Sequence, residues 1–347
     1  MHKAFGLCFD LLPGYLDTSS IGVPPTVVAD ALSAAVDRWR RGGDFPQDFD
    51  EAVDAARAGF ADVIGVPAQR VAIGGGVSPL VGLVAAAVPA GGRVLVATGE
   101  FTSLTWPFAA QAGRGVVVTE APLTELADRA ADHDFVAVSA VASADGAIAD
   151  LESLAAATSG IRTRVLIDVT QAAGWLPLSL DWADAVVGAS YKWLLAPRGA
   201  AWLAISDEMR AELVPNHAGW FSGLDPWLST YGLPWRPAPD ARALDSSPAW
   251  WAHLGAAGVF SVTRGLDRRA VHAHATDLAD ALRARLGLPP AGSAIVAVRR
   301  EGAAELLAAA GVRASTRAGA ARLSFHLYST EDDVDRAATA LGAPTTA

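Results

Sequence analysis

Short apolar runs alternate with helix-like stretches along this chain, and this alternation constrains the fold more than any other feature of the sequence. Seven such runs, between about residues 50 and 215, begin near residues 71, 93, 115, 135, 164, 185 and 200. Their length and apolar character predict buried strands. Segments such as DFDEAVDAARAGFADVIG at 48–65 show helical spacing between or before them. The sequence therefore predicts alternating α and β elements around a mostly parallel sheet.

The pattern changes after residue 215. Residues 216–250 are rich in Pro and Trp and predict a long irregular segment, and loops of that length are usually functional. A helical pattern at about 250–286 and a strand, helix, strand, strand, helix series follow. We therefore predict a large domain over residues 15–250 and a smaller α+β domain over residues 251–347, completed by residues 1–14.

Charge and cysteine content exclude several classes of function. The formal net charge is −10, and no block of basic residues occurs, so nucleic acid and anionic membranes are not expected partners. The single cysteine, Cys8, excludes a disulfide framework and a cysteine zinc site. No segment has the uninterrupted apolar length of a membrane span, and the N-terminus does not resemble a signal peptide. We expect a cytoplasmic protein that acts on small molecules.

One lysine in the segment GASYKWLLAPRG at 188–199 indicates chemistry. Lys192 is one of only two lysines, with Lys3, among 27 Lys plus Arg. Because arginine serves wherever a positive charge is enough, Lys192 is expected to supply what a guanidinium cannot, a neutral amine. Burial can lower the pKa of a lysine until its amine becomes a nucleophile.

A carboxylate is predicted to lie near this lysine. In RVLIDVTQAAG, Asp168 ends a predicted strand and Gln171 follows three residues later. An Asp at the carboxyl end of a parallel strand either faces a ligand or caps the next turn. A Schiff-base lysine with a buried Asp is the protein half of pyridoxal phosphate chemistry, because the Asp keeps the pyridine nitrogen protonated.

A glycine-rich turn is a candidate phosphate cradle. In VAIGGGVSPLVGLVAAAV, a strand leads through glycines to an apolar helix that Ser78 and Pro79 open. Backbone N–H groups at the start of that helix would face an anion. The same outline, with Glu100 as a ribose-binding acid, fits a dinucleotide-dependent oxidoreductase. Pro79 stands at the third glycine position of that motif, and such an enzyme gives no role to Lys192, so this reading stays the alternative.

Taken together, these motifs resemble the class V aminotransferase-fold pyridoxal phosphate enzymes, a group that includes cysteine desulfurases, isopenicillin N epimerase and kynureninase. The resemblance starts near YLDTSSIGVPP at 15 and includes ARLSFHLYSTEDDVDR near the C-terminus. It implies an α/β fold of the pyridoxal phosphate-dependent transferase type (type I), with a mostly parallel large domain and a smaller α+β domain. It also implies pyridoxal 5'-phosphate as cofactor, an amino acid substrate and a homodimer with shared active sites.

Carried over by position, the resemblance assigns roles to individual residues. Lys192 would form the Schiff base, Asp168 would pair with the pyridine nitrogen, and Gln171 would contact the ring hydroxyl. Arg322 would bind the substrate α-carboxylate, which suits a planar bidentate group. The other implied cofactor contacts are Gly76, Val77, Ser78, Phe101, Ser143, Ser190, Tyr191, Trp220 and Ser247.

Some of these assignments carry a specific geometry. Phe101 would stack on the cofactor ring. Ser247 would reach the phosphate of the neighbouring subunit, and Ser143 stands where many relatives have an Asn. Arg317 is either a second anion contact or a solvated strand residue, and His326 is expected to be structural. No metal site is predicted.

Departures from the family motifs narrow the reaction. Desulfurases of this family need a cysteine late in the chain, and no cysteine follows Cys8. The Phe-Pro-Thr-Asp signature of kynureninase is replaced by Phe101 to Leu104, which lack the acid. Transamination, epimerisation and β-elimination, including carbon–sulfur lysis, stay open. We predict an aminotransferase-like enzyme, with a lyase or an epimerase as the alternative.

Overall fold

The computed structural model describes residues 2–343, which form twelve strands and eleven α-helices. The strands are β1 (His2–Ala4), β2 (Leu7–Phe9), β3 (Val71–Gly74), β4 (Arg93–Ala97), β5 (Val117–Ala121), β6 (Phe135–Ser139), β7 (Arg164–Asp168), β8 (Ala185–Ala189), β9 (Ala201–Ile205), β10 (Ile295–Val298), β11 (Ser315–Arg317) and β12 (Ala320–Ser324). The helices are α1 (Thr26–Trp39), α2 (Asp50–Ile64), α3 (Val77–Ala87), α4 (Thr102–Ala109), α5 (Leu126–Arg129), α6 (Leu151–Thr158), α7 (Asp207–Arg210), α8 (Trp250–Thr263), α9 (Arg268–Arg285), α10 (Ala303–Ala309) and α11 (Glu331–Ala340).

The central sheet contains all seven strands that the apolar runs predict. Its order is β3-β9-β8-β7-β6-β4-β5, and β9 runs antiparallel to both of its neighbours while the other pairs are parallel. The prediction of a buried strand was wrong for β5, where only Ala121 is buried. As an edge strand, β5 has a neighbour on one side only.

Helices cover both faces of this sheet. On β6, Val136 and Val138 belong to one core cluster while Phe135 and Ala137 belong to another. The first cluster includes side chains of α2 and α8, and the second includes side chains of α3 and α4. Because successive side chains of a strand point to opposite faces, burial on both sides explains why these runs are apolar throughout.

A second, three-stranded antiparallel sheet has the order β10-β12-β11. Its core joins Leu282 of α9, Leu307 of α10 and Val334 of α11 to the strands. The predicted order of elements after residue 290 is confirmed, but the helical pattern at 250–286 forms two helices. Asp267 caps the second, since its side chain accepts hydrogen bonds from the first-turn N–H groups of α9.

The proposed division into domains near residue 250 stays a prediction, and residue 1 and residues 344–347 of those ranges lie outside the described residues. Residues 216–249 are irregular apart from two short 3₁₀ turns, as predicted. Their end is fixed by Asp245, which accepts hydrogen bonds from Ile73 of β3 and from Arg57 of α2. Within residues 2–343, no helix is both long and apolar enough to span a bilayer.

Candidate active site

A cavity of about 290 Å³ opens at the carboxyl ends of β6, β7 and β8. Its walls come from the turn at 75–79, from Phe101 and Ser103, from the ends of these strands and from residues 189–200. This is the position at which open α/β sheets bind ligands, because the loops that leave the strands meet there.

Lys192 lies in this cavity and is only 7 % exposed. Its Nζ stands 5.5 Å from the ring centre of Phe101 and 5.7 Å from that of Tyr191. Burial lowers the pKa of Lys192 to about 8, although Asp168 acts in the opposite direction. At neutral pH a far larger share of this amine is therefore unprotonated than in a lysine exposed to solvent.

Close packing fixes the segment that carries Lys192. The N–H of Gly22 donates to the carbonyl of Tyr191 over 2.8 Å. A Cβ at Gly22 would lie 2.0 Å from the Lys192 carbonyl oxygen, so only glycine fits there. Leu195 closes the turn with a positive φ of 53°, which is uncommon for a branched side chain.

Asp168 ends β7 and is buried in the same cavity. Its Oδ1 accepts a hydrogen bond of 2.8 Å from the N–H of Thr170. Among the described residues its Oδ2 accepts none, so one oxygen holds the turn while the other is available to a ligand. Burial raises the pKa of Asp168 to about 6, against the effect of the hydrogen bonds from Thr170.

Gln171 is held by a hydrogen-bond network on the far wall of the cavity. Its Nε2 donates to the Ser19 carbonyl (3.0 Å) and to Ser143 Oγ (3.1 Å), and its Oε1 accepts from Trp193 Nε1 (2.7 Å). Both ends of the amide are engaged, which fixes its orientation. The predicted contact with a ring hydroxyl stays a prediction.

The glycine turn leaves a helix terminus open towards the cavity. Gly76 precedes the first residue of α3, and no side chain caps that helix. Gly75, Gly76, Val77 and Ser78 all line the cavity. The first N–H groups of a helix have no partner within it, so this end of the cavity suits an anion.

The cavity brings together most of the residues that the sequence singles out. Those that line it are Gly76, Val77, Ser78, Phe101, Ser143, Asp168, Gln171, Tyr191 and Lys192. Ser190, Trp220, Ser247 and Arg322 do not line it. The contacts that the sequence assigns to these four residues stay predictions.

The phosphate contact predicted for Ser190 stays a prediction. Ser190 is fully buried, and its Oγ donates to the Pro197 carbonyl over 2.5 Å. In this structure its hydroxyl closes the turn after Lys192. Trp220 packs against Phe221 and Trp227 on the irregular segment.

Arg322 lies behind the cavity and reaches it through Ser143. It is 1 % exposed, and its Nη1 donates to the Ser143 carbonyl and Oγ, at 2.5 and 3.1 Å. Its Nη2 donates to Ser20 Oγ (3.0 Å) and its Nε to Ser315 Oγ (3.2 Å). Burial, assisted by Arg317, lowers the pKa of Arg322 to about 10.

The sequence did not identify four further polar side chains at the cavity, Ser103, Ser139, Thr170 and Arg198. The Arg198 guanidinium lies 5.2 Å from the ring centre of Tyr191. Arg198 occurs in the quoted segment with Lys192, but a sequence does not show to which side a turn residue points.

The strand order overturns the dinucleotide reading. In that reading β3 and β4 belong to one parallel βαβ unit around the glycine turn. Here β3 is an edge strand antiparallel to β9, and β4 lies near the opposite edge. Glu100, the candidate ribose ligand, instead accepts hydrogen bonds from Ser139 N, Ser139 Oγ and Phe101 N.

Comparison with known proteins agrees with this architecture. The chain is 26% identical over 317 residues to "Uncharacterized aminotransferase YcbU" of Bacillus subtilis, which covers 85% of this chain and 84% of that protein. It is 29% identical over 346 residues to isopenicillin N epimerase of Streptomyces clavuligerus, with 84% of each chain covered.

Solved structures share the fold. The cysteine desulfurase CsdA of Escherichia coli superposes with a TM-score of 0.82 at 18% identity, over 96% of both chains. A mutant of C-DES with glycine covalently linked to its PLP cofactor superposes with a TM-score of 0.83 at 19% identity, over 94% of this chain and 95% of that one. The predicted α/β fold is thus confirmed. The aminotransferase class-V model matches residues 15–306, and the chain belongs to that family.

Proposed function

We propose that this protein is a pyridoxal 5'-phosphate-dependent enzyme that acts on an amino acid. The reaction that we propose is an aminotransferase-like one. The observation that carries the proposal is a buried lysine of lowered pKa in one cavity with a buried carboxylate and an uncapped helix terminus. When bound, the cofactor supplies an electron-accepting ring that stabilises negative charge at the carbon next to the substrate amine.

The residues present fit this cofactor. Lys192 Nζ would hold its aldehyde carbon, and the available Oδ2 of Asp168 would face its pyridine nitrogen. The N-terminus of α3, with Gly76 and Ser78, would hold the phosphate. Phe101, whose ring lies near the lysine amine, would stack on the cofactor ring.

Lys192 is also the group suited to move the substrate proton. A general base is most effective when its pKa lies near the working pH, and burial lowers the pKa of Lys192 to about 8. Asp168, whose charge raises the pKa of that amine, would supply a negative charge in the same cavity. Arg322 would orient the substrate α-carboxylate from behind Ser143, whose hydroxyl it already contacts.

Lys192 would supply the base that transamination requires, because an amine of lowered pKa can both accept and release a proton. Epimerisation is the second candidate, because isopenicillin N epimerase is similar over 84% of the chain. An eliminating lyase is a further alternative. Desulfuration by a cysteine is not proposed, because Cys8 lies in β2 and does not line the cavity.

Borohydride reduction tests the cofactor site. We expect the purified protein to absorb in the near-visible range with pyridoxal phosphate, and reduction followed by peptide mass spectrometry to locate the cofactor on Lys192. Lys192→Ala should abolish the adduct, whereas Lys3→Ala should leave it unchanged. An adduct on another residue, or none, would overturn the proposal.

A substrate screen separates the reactions. Amino acids are incubated with the reconstituted protein, and three products are measured. A keto acid with transfer of the amine indicates transamination, an inverted amino acid indicates epimerisation, and released ammonia indicates elimination.

We further propose that the enzyme is a cytoplasmic homodimer with shared active sites. The irregular segment exposes apolar side chains, with Leu228 81%, Tyr231 95% and Leu233 90% accessible, as expected of a surface that a second subunit covers. Ser247 does not line the cavity of its own chain, in accord with a contact across the interface. Light scattering at graded concentrations tests this, and a monomer at micromolar concentration would contradict it.

A further inference from the structure

Arg317 and Arg322 share one face of the three-stranded sheet. Ser315 of β11 pairs directly with Arg322 of β12, and the Arg322 Nε donates to Ser315 Oγ. Arg317 follows Ser315 by two residues, so its side chain points to the same face. Arg317 pairs with Ala320, which makes Arg317 and Arg322 diagonal neighbours across the two strands.

This face of the sheet is directed towards the catalytic cavity. The Arg322 guanidinium contacts Ser143, and Ser143 lines the cavity beside Gln171. Arg322 is buried while Arg317 is exposed. On this shared face, Arg317 therefore lies nearer to the solvent than Arg322 does.

No carboxylate neutralises Arg317 within residues 2–343. Its Nη1 donates to the carbonyl of Thr316, and it forms no ion pair there. Arg322 forms no ion pair there either, although Asp17, which pairs with Arg313 over 3.8 Å, is close enough to raise its pKa. The positive charges of Arg322, Arg317 and Arg198 all lower the pKa of Lys192, and of the three only Arg198 lines the cavity.

Like charges held together without counterions favour a ligand that brings negative charge. The α-carboxylate of an amino acid neutralises one guanidinium group. A second guanidinium on the same face, nearer to solvent, leaves a positive charge for a second anionic group.

We propose that Arg317 binds a second anionic group, at the end of the substrate side chain, so that the enzyme selects acidic amino acids. This inference rests on the proposed function and specifies its substrate class. A carboxylate and a phosphate share the chemistry that a guanidinium recognises. The experiment distinguishes them.

The test compares acidic amino acids with neutral counterparts on the reconstituted holoenzyme. Dissociation constants and kcat/KM are measured for glutamate against glutamine, and for O-phosphoserine against serine. We expect the acidic member of at least one pair to be preferred by about tenfold to a hundredfold, the range of one charge-assisted hydrogen-bonded contact. A preference for glutamate identifies a carboxylate, and a preference for O-phosphoserine identifies a phosphate.

Arg317→Gln should remove that preference. It should weaken the binding of the acidic substrate and lower its kcat/KM, while both values for the neutral substrate change by less than about twofold. Arg317→Lys should restore part of it. Arg299→Gln is the matched control, because Arg299 is an exposed arginine of the same region whose Nη1 also donates to a backbone carbonyl, that of Ala318. A neutral preference in the wild type, or a preference that survives Arg317→Gln, would overturn the inference.

Calorimetry with glutarate separates this inference from the proposed function. Glutarate has two carboxylates and no amine, so its binding does not need Lys192. Arg317-dependent glutarate binding without a cofactor adduct on Lys192 would overturn the proposed function alone. If the cofactor adduct forms normally on Lys192 but Arg317→Gln does not change glutarate binding, only the proposed substrate class is overturned.

Discussion

At the scale of single residues, the proposed function depends on the protonation of the Lys192 amine. Burial lowers the pKa of Lys192 to about 8, so about a tenth of the molecules carry a neutral amine at pH 7. Only the neutral amine attacks an aldehyde, so the rate at which the apoprotein binds pyridoxal phosphate covalently should rise with pH and level off above about 8. A stopped-flow pH series of absorbance measures this.

Asp168→Asn provides the control for that prediction. The Asp168 carboxylate raises the pKa of Lys192, so its removal should shift the midpoint of the rate profile to lower pH. A wild-type midpoint near 10, or a shift to higher pH in the variant, would contradict the account. The shift, unlike a simple loss of rate, is specific to the electrostatic contact.

The sequence could predict Lys192 and Asp168 because each directly follows or ends an apolar strand, and parallel strands end at one edge of a sheet. It could not predict the hydrogen bond of the Ser190 hydroxyl, because the direction of a turn hydroxyl depends on which carbonyl lies within reach. Ser190 reaches the Pro197 carbonyl. Arg198 was missed for the same reason.

At the scale of elements, the segment at 188–199 is held by its packing against Gly22. Gly22→Ala would place a methyl group against the Lys192 carbonyl and Leu195, neither of which can move far because both are buried. We expect a loss of about 1–3 kcal/mol in the free energy of unfolding and weaker cofactor attachment. Urea denaturation and the borohydride adduct measure the two effects.

Gly82→Ala is the matched control for Gly22→Ala. Gly82 lies within α3, and a Cβ there meets nothing within 4 Å. Alanine favours a helix interior over glycine by roughly 0.5–1 kcal/mol, so this variant should be slightly more stable. Equal losses in both variants would show that packing at Gly22 is not special.

A buried ion pair anchors the end of the irregular segment to the central sheet. Arg57 Nη2 lies 2.8 Å from Asp245 Oδ2, and Asp245 also accepts from Ile73 N. Asp245→Ala leaves the buried Arg57 with only a 3.8 Å contact to the exposed Asp54 and a hydrogen bond to the Val71 carbonyl. We expect a loss of about 3–5 kcal/mol in unfolding free energy. Asp62→Ala, which breaks a half-exposed pair with Arg268, should cost at most about 1 kcal/mol. Urea denaturation checks both, and similar losses would refute the prediction.

The apolar runs predict which segments form strands, but they do not predict which strands pair with one another in the sheet. The seven strands of the central sheet occur where the sequence indicates them, whereas the edge position of β5 and the antiparallel direction of β9 depend on the order of pairing. The break between α8 and α9 follows from the cap at Asp267, which the apolar pattern at 250–286 does not reveal. Strand pairing thus sets the order and direction of the strands, and local capping sets where a helix begins. The periodicity of apolar residues determines neither.

At the scale of the whole molecule, the candidate site joins three separate parts of the chain. Gln171 at the central sheet bonds the carbonyl of Ser19, and Arg322 of the small sheet bonds both Ser143 and Ser20. The N-terminal segment therefore connects the two sheets at the cavity.

Buried titratable groups also make the stability of the whole fold depend on pH. His326 is fully buried, its Nε2 donates to the Trp193 carbonyl over 2.9 Å, and burial lowers its pKa to about 3. Between pH 6.5 and about 3 the unfolded chain binds a proton at this histidine that the folded protein does not. The stability that His326 contributes is therefore complete above 6.5 and is lost as the pH falls.

Comparison with His326→Gln isolates this effect, because the variant cannot titrate at that position. Asp168 and Asp245, whose pKa values burial raises to about 6, act in the opposite direction but are common to both proteins and cancel. Wild type should be the more stable at pH 7.5, and its advantage should shrink by about 2 kcal/mol at pH 5. Urea denaturation at both pH values measures the difference, with His217→Gln on the irregular segment as control. An advantage that stays constant with pH would contradict the prediction, because it would mean that His326 takes up its proton in the folded protein as readily as in the unfolded chain.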